Sequence, residues 1–70
     1  MSPGQPSRRF LVRSVTVTID SVTHHGTYYV HGSEVHVRSP LGEKITEVGM
    51  SLPEALAMSL LSELVREAKR

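Results

Sequence analysis

The chain has no cysteine and no tryptophan, and one phenylalanine among its 70 residues. Without cysteine there is no disulfide to staple a small fold, and no thiolate to hold a metal. No apolar run approaches the roughly 20 residues that cross a bilayer as a helix. The leading "MSPGQPSRRFLVRS" has arginines but no apolar core of a secretory signal. A cytoplasmic, soluble protein, of bacterial type by its small size, is therefore expected. The spacings H-x₃₋₅-H with cysteines and H-E-x-x-H are missing, as are paired carboxylates in a setting suited to acid–base work. No cofactor and no metal are expected, and the chain reads as a non-enzyme.

An excess of charge of one sign is also lacking, since 8 basic and 7 acidic residues leave a net of +1. Its distribution is uneven. Arg8, Arg9 and Arg13 make the first 14 residues basic, whereas Asp20, Glu34, Glu43 and Glu47 outnumber Arg38 and Lys44 in the middle of the chain. Residues 1–9 form an expected flexible basic arm, because "MSPGQPS" has little to bury. Residues 10–70 form one small domain. A chain of this length buries only about 60% of its unfolded surface. Its core is thin, and association with a second copy is an expected source of extra stability.

What is present is β-branched alternation followed by helical periodicity. In "VRSVTVTID", Val15, Val17 and Ile19 point one way while Thr16, Thr18 and Asp20 point the other, which is a half-buried strand. The segment "THHGTYYVHGSEVHV" contains all four histidines and both tyrosines. Two turns are expected in it, one at His25-Gly26 and a type II′ turn at Gly32-Ser33. The second turn sets cross-strand partners His31–Glu34, Val30–Val35, Tyr29–His36, Tyr28–Val37 and Thr27–Arg38. This register separates apolar from polar positions, and a slip of one residue would mix them. "SPLGEKI" is expected to close a three-residue loop that pairs Val37 with Ile45 on the core face, with a fourth strand over 43–48.

In "GMSLPEALAMSLLSELVREAKR", Ser51 and Glu54 have the spacing of a capping box. Leu56, Ala57, Leu60, Leu61, Leu64, Val65 and Ala68 then share one helical face, opposite Ser59, Ser62, Glu63, Arg66 and Lys69. The expected architecture is α+β: an antiparallel meander of four strands, or three, followed by one C-terminal amphipathic helix packed on one face, β-β-β-β-α. One helix about 10 Å wide cannot cover a sheet of four strands spaced about 4.8 Å apart. Some of Val15, Val17, Ile19, Tyr28, Val30, Val35, Val37 and Ile45 therefore stay wet in a monomer.

Two similarities to known families concern the order of elements. A small sheet backed by one helix is similar to the DNA-reading arm-binding domains of some integrases, but the arginine- and tryptophan-rich strands of those domains are absent. "GTYYV" followed by "VGMSLPEAL" resembles the N-terminal half of HicB-type antitoxins over about half of the chain, without the segment that precedes the helix in that family. Neither resemblance assigns a role to a residue.

The polar strand face carries the candidate interaction residues Tyr29, His31, Glu34, His36 and Arg38. Imidazoles beside a carboxylate are zinc-type donors, but in an exposed hairpin they are more simply solvated side chains. Ser33 and Thr23 adjoin histidines, yet an open sheet with one helix offers little concavity to exclude water. The expected function is a small binding or regulatory module that acts by protein–protein contact, as a homodimer. The alternative is a DNA- or RNA-binding regulator that uses the arm residues Arg8, Arg9 and Arg13 together with the polar face.

Overall fold

The computed structural model describes residues 11–69. Four strands and a helix follow in order: β1 (Arg13–Ile19), β2 (Val22–His31), β3 (Glu34–Ser39), β4 (Gly42–Glu47) and α1 (Pro53–Ala68). The strands pair antiparallel in the order β1-β2-β3-β4, and α1 packs on one face of the sheet. The expected β-β-β-β-α architecture is what the chain adopts. Arg8 and Arg9, with the rest of the expected 1–9 arm, lie outside the described residues.

The Gly32-Ser33 hairpin has the expected register, from Thr27↔Arg38 to His31↔Glu34. Gly32 takes a left-handed φ of 62°, which a glycine adopts without a Cβ penalty. The other two hairpins depart from expectation. The first turn is Asp20-Ser21 and not His25-Gly26, and both of its residues are left-handed, with φ of 55° and 67°. This is the type I′ geometry that suits the twist of a hairpin, made here without glycine. β2 therefore starts earlier and runs through His24, His25 and Gly26 as strand. Gly26 is a packing glycine: a Cβ there would lie 3.0 Å from the Arg38 carbonyl oxygen and 3.4 Å from Leu61 Cδ1.

The third hairpin has a two-residue loop, Pro40-Leu41, where three residues were expected. The Ser39 hydroxyl accepts a hydrogen bond from the Leu41 N–H at 3.0 Å, and this local bond tightens the turn. Shortening the loop by one residue shifts the register by one, which exchanges the two faces of β4. Val37 consequently opposes Lys44, while Ile45 opposes His36 on the face away from the helix and is 58% exposed. Ile45 is not a core residue.

The capping box also fails to form. Leu52 is the N-cap, no side chain caps the helix, and Pro53 opens it. The proline explains the difference. It drives the preceding residue out of the helical region, and Leu52 has ψ of 135°. Ser51 as N-cap would require Leu52 to be the first helical residue, which that backbone forbids. The Ser51 N–H instead donates to the Val48 carbonyl at 3.0 Å, across a turn containing Gly49 at φ 59°.

The core lies between α1 and the sheet. Val15, Val17, Tyr28, Val35 and Val37 contribute from the strands, and Ala57, Leu60, Leu61, Leu64 and Val65 from the helix. Ile19, Val48 and Leu56 pack partly buried against this cluster. Ala68 is exposed despite its place on the expected apolar face. Two ion-pair groups hold the C-terminal half of α1 to the sheet. Lys44 lies 2.8 Å from Glu67 and 3.6 Å from Glu63, and Lys69 pairs with Asp20 at 2.5 Å. The bond to Glu67 raises the Lys44 pKa above the usual lysine value, in spite of partial desolvation. The bond to Lys69 lowers that of Asp20.

Candidate functional site: the outer face of the sheet

Strand pleating sends alternate side chains to the side that α1 leaves open. Ser14, Thr16 and Thr18 come from β1, and Thr23, His25, Thr27, Tyr29 and His31 from β2. Glu34, His36 and Arg38 come from β3, and Glu43, Ile45 and Glu47 from β4. The five candidate residues Tyr29, His31, Glu34, His36 and Arg38 are thus together on one surface. Cross-strand pairing brings the Tyr29 and His36 rings into a stack, with centroids 4.7 Å apart and planes 11° from parallel. His36 Nε2 lies 3.2 Å from Glu34 Oε1 on the same strand. The His31 and His36 rings are 6.3 Å apart and tilted by 41°. Arg38 Nε donates to Glu43 Oε2 at 2.9 Å, directly across the β3–β4 ladder.

Three residues join this surface that sequence reasoning did not assign to it: Ile45, Glu43 and Val12. Ile45 and Glu43 were missed for a common reason, the loop length of "SPLGE". Together with Thr27, Tyr29, His36 and Arg38 they border a shallow hollow of about 190 Å³. The hollow combines a stacked aromatic pair, two exposed aliphatic side chains and a neutralised ion pair. Such a surface offers apolar contact with a polar rim, the general make-up of a protein contact.

Among the described residues, no group of three or more histidine, cysteine, aspartate or glutamate side chains is placed to hold a metal ion. The Thr23 hydroxyl, next to His24 in the chain, is hydrogen-bonded to the Thr18 hydroxyl, with the Oγ1 atoms 3.2 Å apart. His24 leaves the strand on the opposite face, where its Nε2 is buried without a hydrogen-bond partner among the described residues. Arg13 belongs to β1 and opposes Tyr28. It lines a groove of about 370 Å³ with Leu11, Val30, Leu52, Pro53 and Glu54, on the helix side of the sheet. Arg13 is therefore neither part of a free arm nor on the face that carries Arg38.

No helix among the described residues is long and apolar enough to cross a membrane. No family model, no curated protein and no solved structure matches the chain.

Proposed function

We propose that this is a non-enzymatic binding module that works by protein–protein contact, in a cytoplasmic setting, with a second copy of the chain as its first partner. The observation that supports the reading is the uncovered sheet. One helix occupies one side, and the other side leaves Ile45 and Val12 exposed beside the half-buried Tyr29–His36 stack. A domain of this size has a thin core, and an exposed apolar face of this kind marks a contact surface for another protein.

The nucleic-acid alternative has less to stand on. Its affinity would come mainly from phosphate neutralisation. Of its named cations, Arg8 and Arg9 lie outside the described residues, Arg13 lies on the helix side, and Arg38 on the outer face is held by Glu43. Sedimentation of the full chain at about 100 μM, chosen to detect micromolar affinity, is expected to return twice the monomer mass. A monomer at that concentration overturns the proposed self-association. Titration with a short duplex at low salt is expected to give no salt-sensitive binding.

A further inference from the structure

The two outer strands of the sheet are unlike in the backbone groups they offer. β1 and β4 are its edges among the described residues. In a two-residue hairpin the closing pair is hydrogen-bonded, and hydrogen-bonded pairs then alternate along the ladder. Ile19↔Val22 closes the first hairpin, so Arg13, Val15, Val17 and Ile19 direct their backbone groups to β2. The N–H and C=O of Ser14, Thr16 and Thr18 point outward. Ser39↔Gly42 closes the third hairpin, and the same alternation leaves Glu43, Ile45 and Glu47 with outward groups on β4.

We infer that two copies of the chain join through β1, antiparallel to itself about a two-fold axis at Thr16. This rests on the self-association proposed above but places it at a sheet edge, so the outer face stays uncovered. Three hydrogen-bonded pairs are available in that register. Thr16 opposes Thr16 of the second copy, and Ser14 opposes Thr18 twice by symmetry. On the outer face the opposed side chains are all hydroxyls, and cross-strand Thr–Thr and Thr–Ser pairs are favourable. On the helix side Val15 meets Val17 of the second copy, so β-branched residues adjoin across the seam. Arg13 falls opposite Ile19 of the second copy, next to the turn that bears Asp20, and brings opposite charges to each end of the junction.

The same operation on β4 fails for a plain reason. Centred on Ile45, it would set Glu43 directly opposite Glu47 at both ends, and like charges so placed are destabilising. β4 thus has the charged edge by which sheets resist pairing, whereas β1 has none between Ser14 and Ile19. A further observation fits a copy at β1. Met58 is 43% exposed and borders a groove with Ser14, Val15, Thr16 and Glu54, alongside that edge. A two-fold axis perpendicular to the sheet keeps both helices on one side, so each Met58 flanks the seam. On the other side, the two Tyr29–His36–Ile45 surfaces lie on one continuous sheet face.

The experiment uses the full chain and its lack of native cysteine. Under mild oxidation, Thr16→Cys is expected to give a disulfide-linked dimer at least ten times faster than Ile45→Cys. Thr16→Lys, which opposes two like charges at the axis, is expected to weaken dimerisation at least tenfold in sedimentation, with an unchanged circular dichroism spectrum. Ile45→Lys serves as the counterpart and is expected to leave the dimer intact. A wild-type monomer overturns both the self-association and the edge. A dimer that is insensitive to Thr16→Lys but lost in Ile45→Lys keeps the self-association and overturns the β1 edge. Open-ended polymers overturn it too, since β1 of one copy on β4 of the next never closes.

Discussion

Single positions in this sheet owe their behaviour to which face they occupy. His24 shares the helix side with Val17, its partner across the ladder. Its Nε2 is shielded from water with no partner among the described residues, a costly arrangement for a polar atom. His24→Leu is expected to raise stability by about 1 kcal/mol, read as a higher urea midpoint with an unchanged slope. Leu61 is fully buried, at the centre of the helix contact. Its truncation to alanine is expected to cost about 2–5 kcal/mol, the range for a buried leucine that leaves a cavity. Ile45 tests the register. In the core, Ile45→Thr would be severe; on the outer face of the monomer it is expected to change stability by no more than about 0.5 kcal/mol, the usual span for surface changes.

At the scale of elements, the turns decide what each strand shows. The first hairpin places two non-glycine residues at positive φ. Ser21→Gly removes the Cβ penalty at one of them while it keeps Asp20 for Lys69, and thermal unfolding is expected to show a gain of about 1 kcal/mol. The α1–β4 contact carries a pH dependence. The Lys44 pKa is raised in the folded chain, principally by the hydrogen bond to Glu67. Its contribution to stability is therefore complete below the ordinary value of 10.5 and is lost as pH rises through the higher folded value. Lys44→Met is expected to flatten the alkaline limb of a stability–pH profile. Asp20 has the opposite sign: its pKa is lowered by Lys69, so its contribution is present above the usual 3.8 and fades as pH falls through the lower folded value.

These elements also mark where local sequence signals hold and where they give way. The β1 alternation, the Gly32-Ser33 register and the helical stripe were all legible, because each is a period repeated over several residues or a glycine placed where a turn demands one. The turn at Asp20-Ser21 was not, since neither residue announces a positive φ as glycine does. His25-Gly26 looked like a turn because glycine is more often there for conformation than for space. The Ser51–Glu54 spacing matched a helix start, but the proline between them moved that start by one residue. The "SPLG" loop differed from expectation by a single residue, and that was enough to turn Ile45 from core to surface.

For the whole molecule, the balance between a thin core and an open face sets the expected behaviour. Ten side chains among the described residues form the buried core, while Val30, on the helix side, and Ile45, on the other, remain 40% and 58% exposed. If folding is coupled to association, the midpoint of thermal unfolding rises with protein concentration. That dependence is expected for the wild type and expected to vanish in Thr16→Lys. Tyr29, His31, Glu34, His36 and Arg38 share one strand face, as the register of the Gly32-Ser33 hairpin requires. Arg13 was grouped with the arm, yet it opens β1, at the start of the alternating stretch that already contains it.

The sequence by itself determined the class of fold and the inner hairpin, since period-two and period-3.6 patterns need no distant partner to be read. Tertiary structure decided which residues accompany that hairpin on the open face, and which sheet edge carries charge in the outward-pointing register. Both depend on strand register, and register rests on a choice of loop length worth one residue. That choice is made by backbone conformation at the turn and by which faces meet the helix, neither of which is encoded at any one position in the chain.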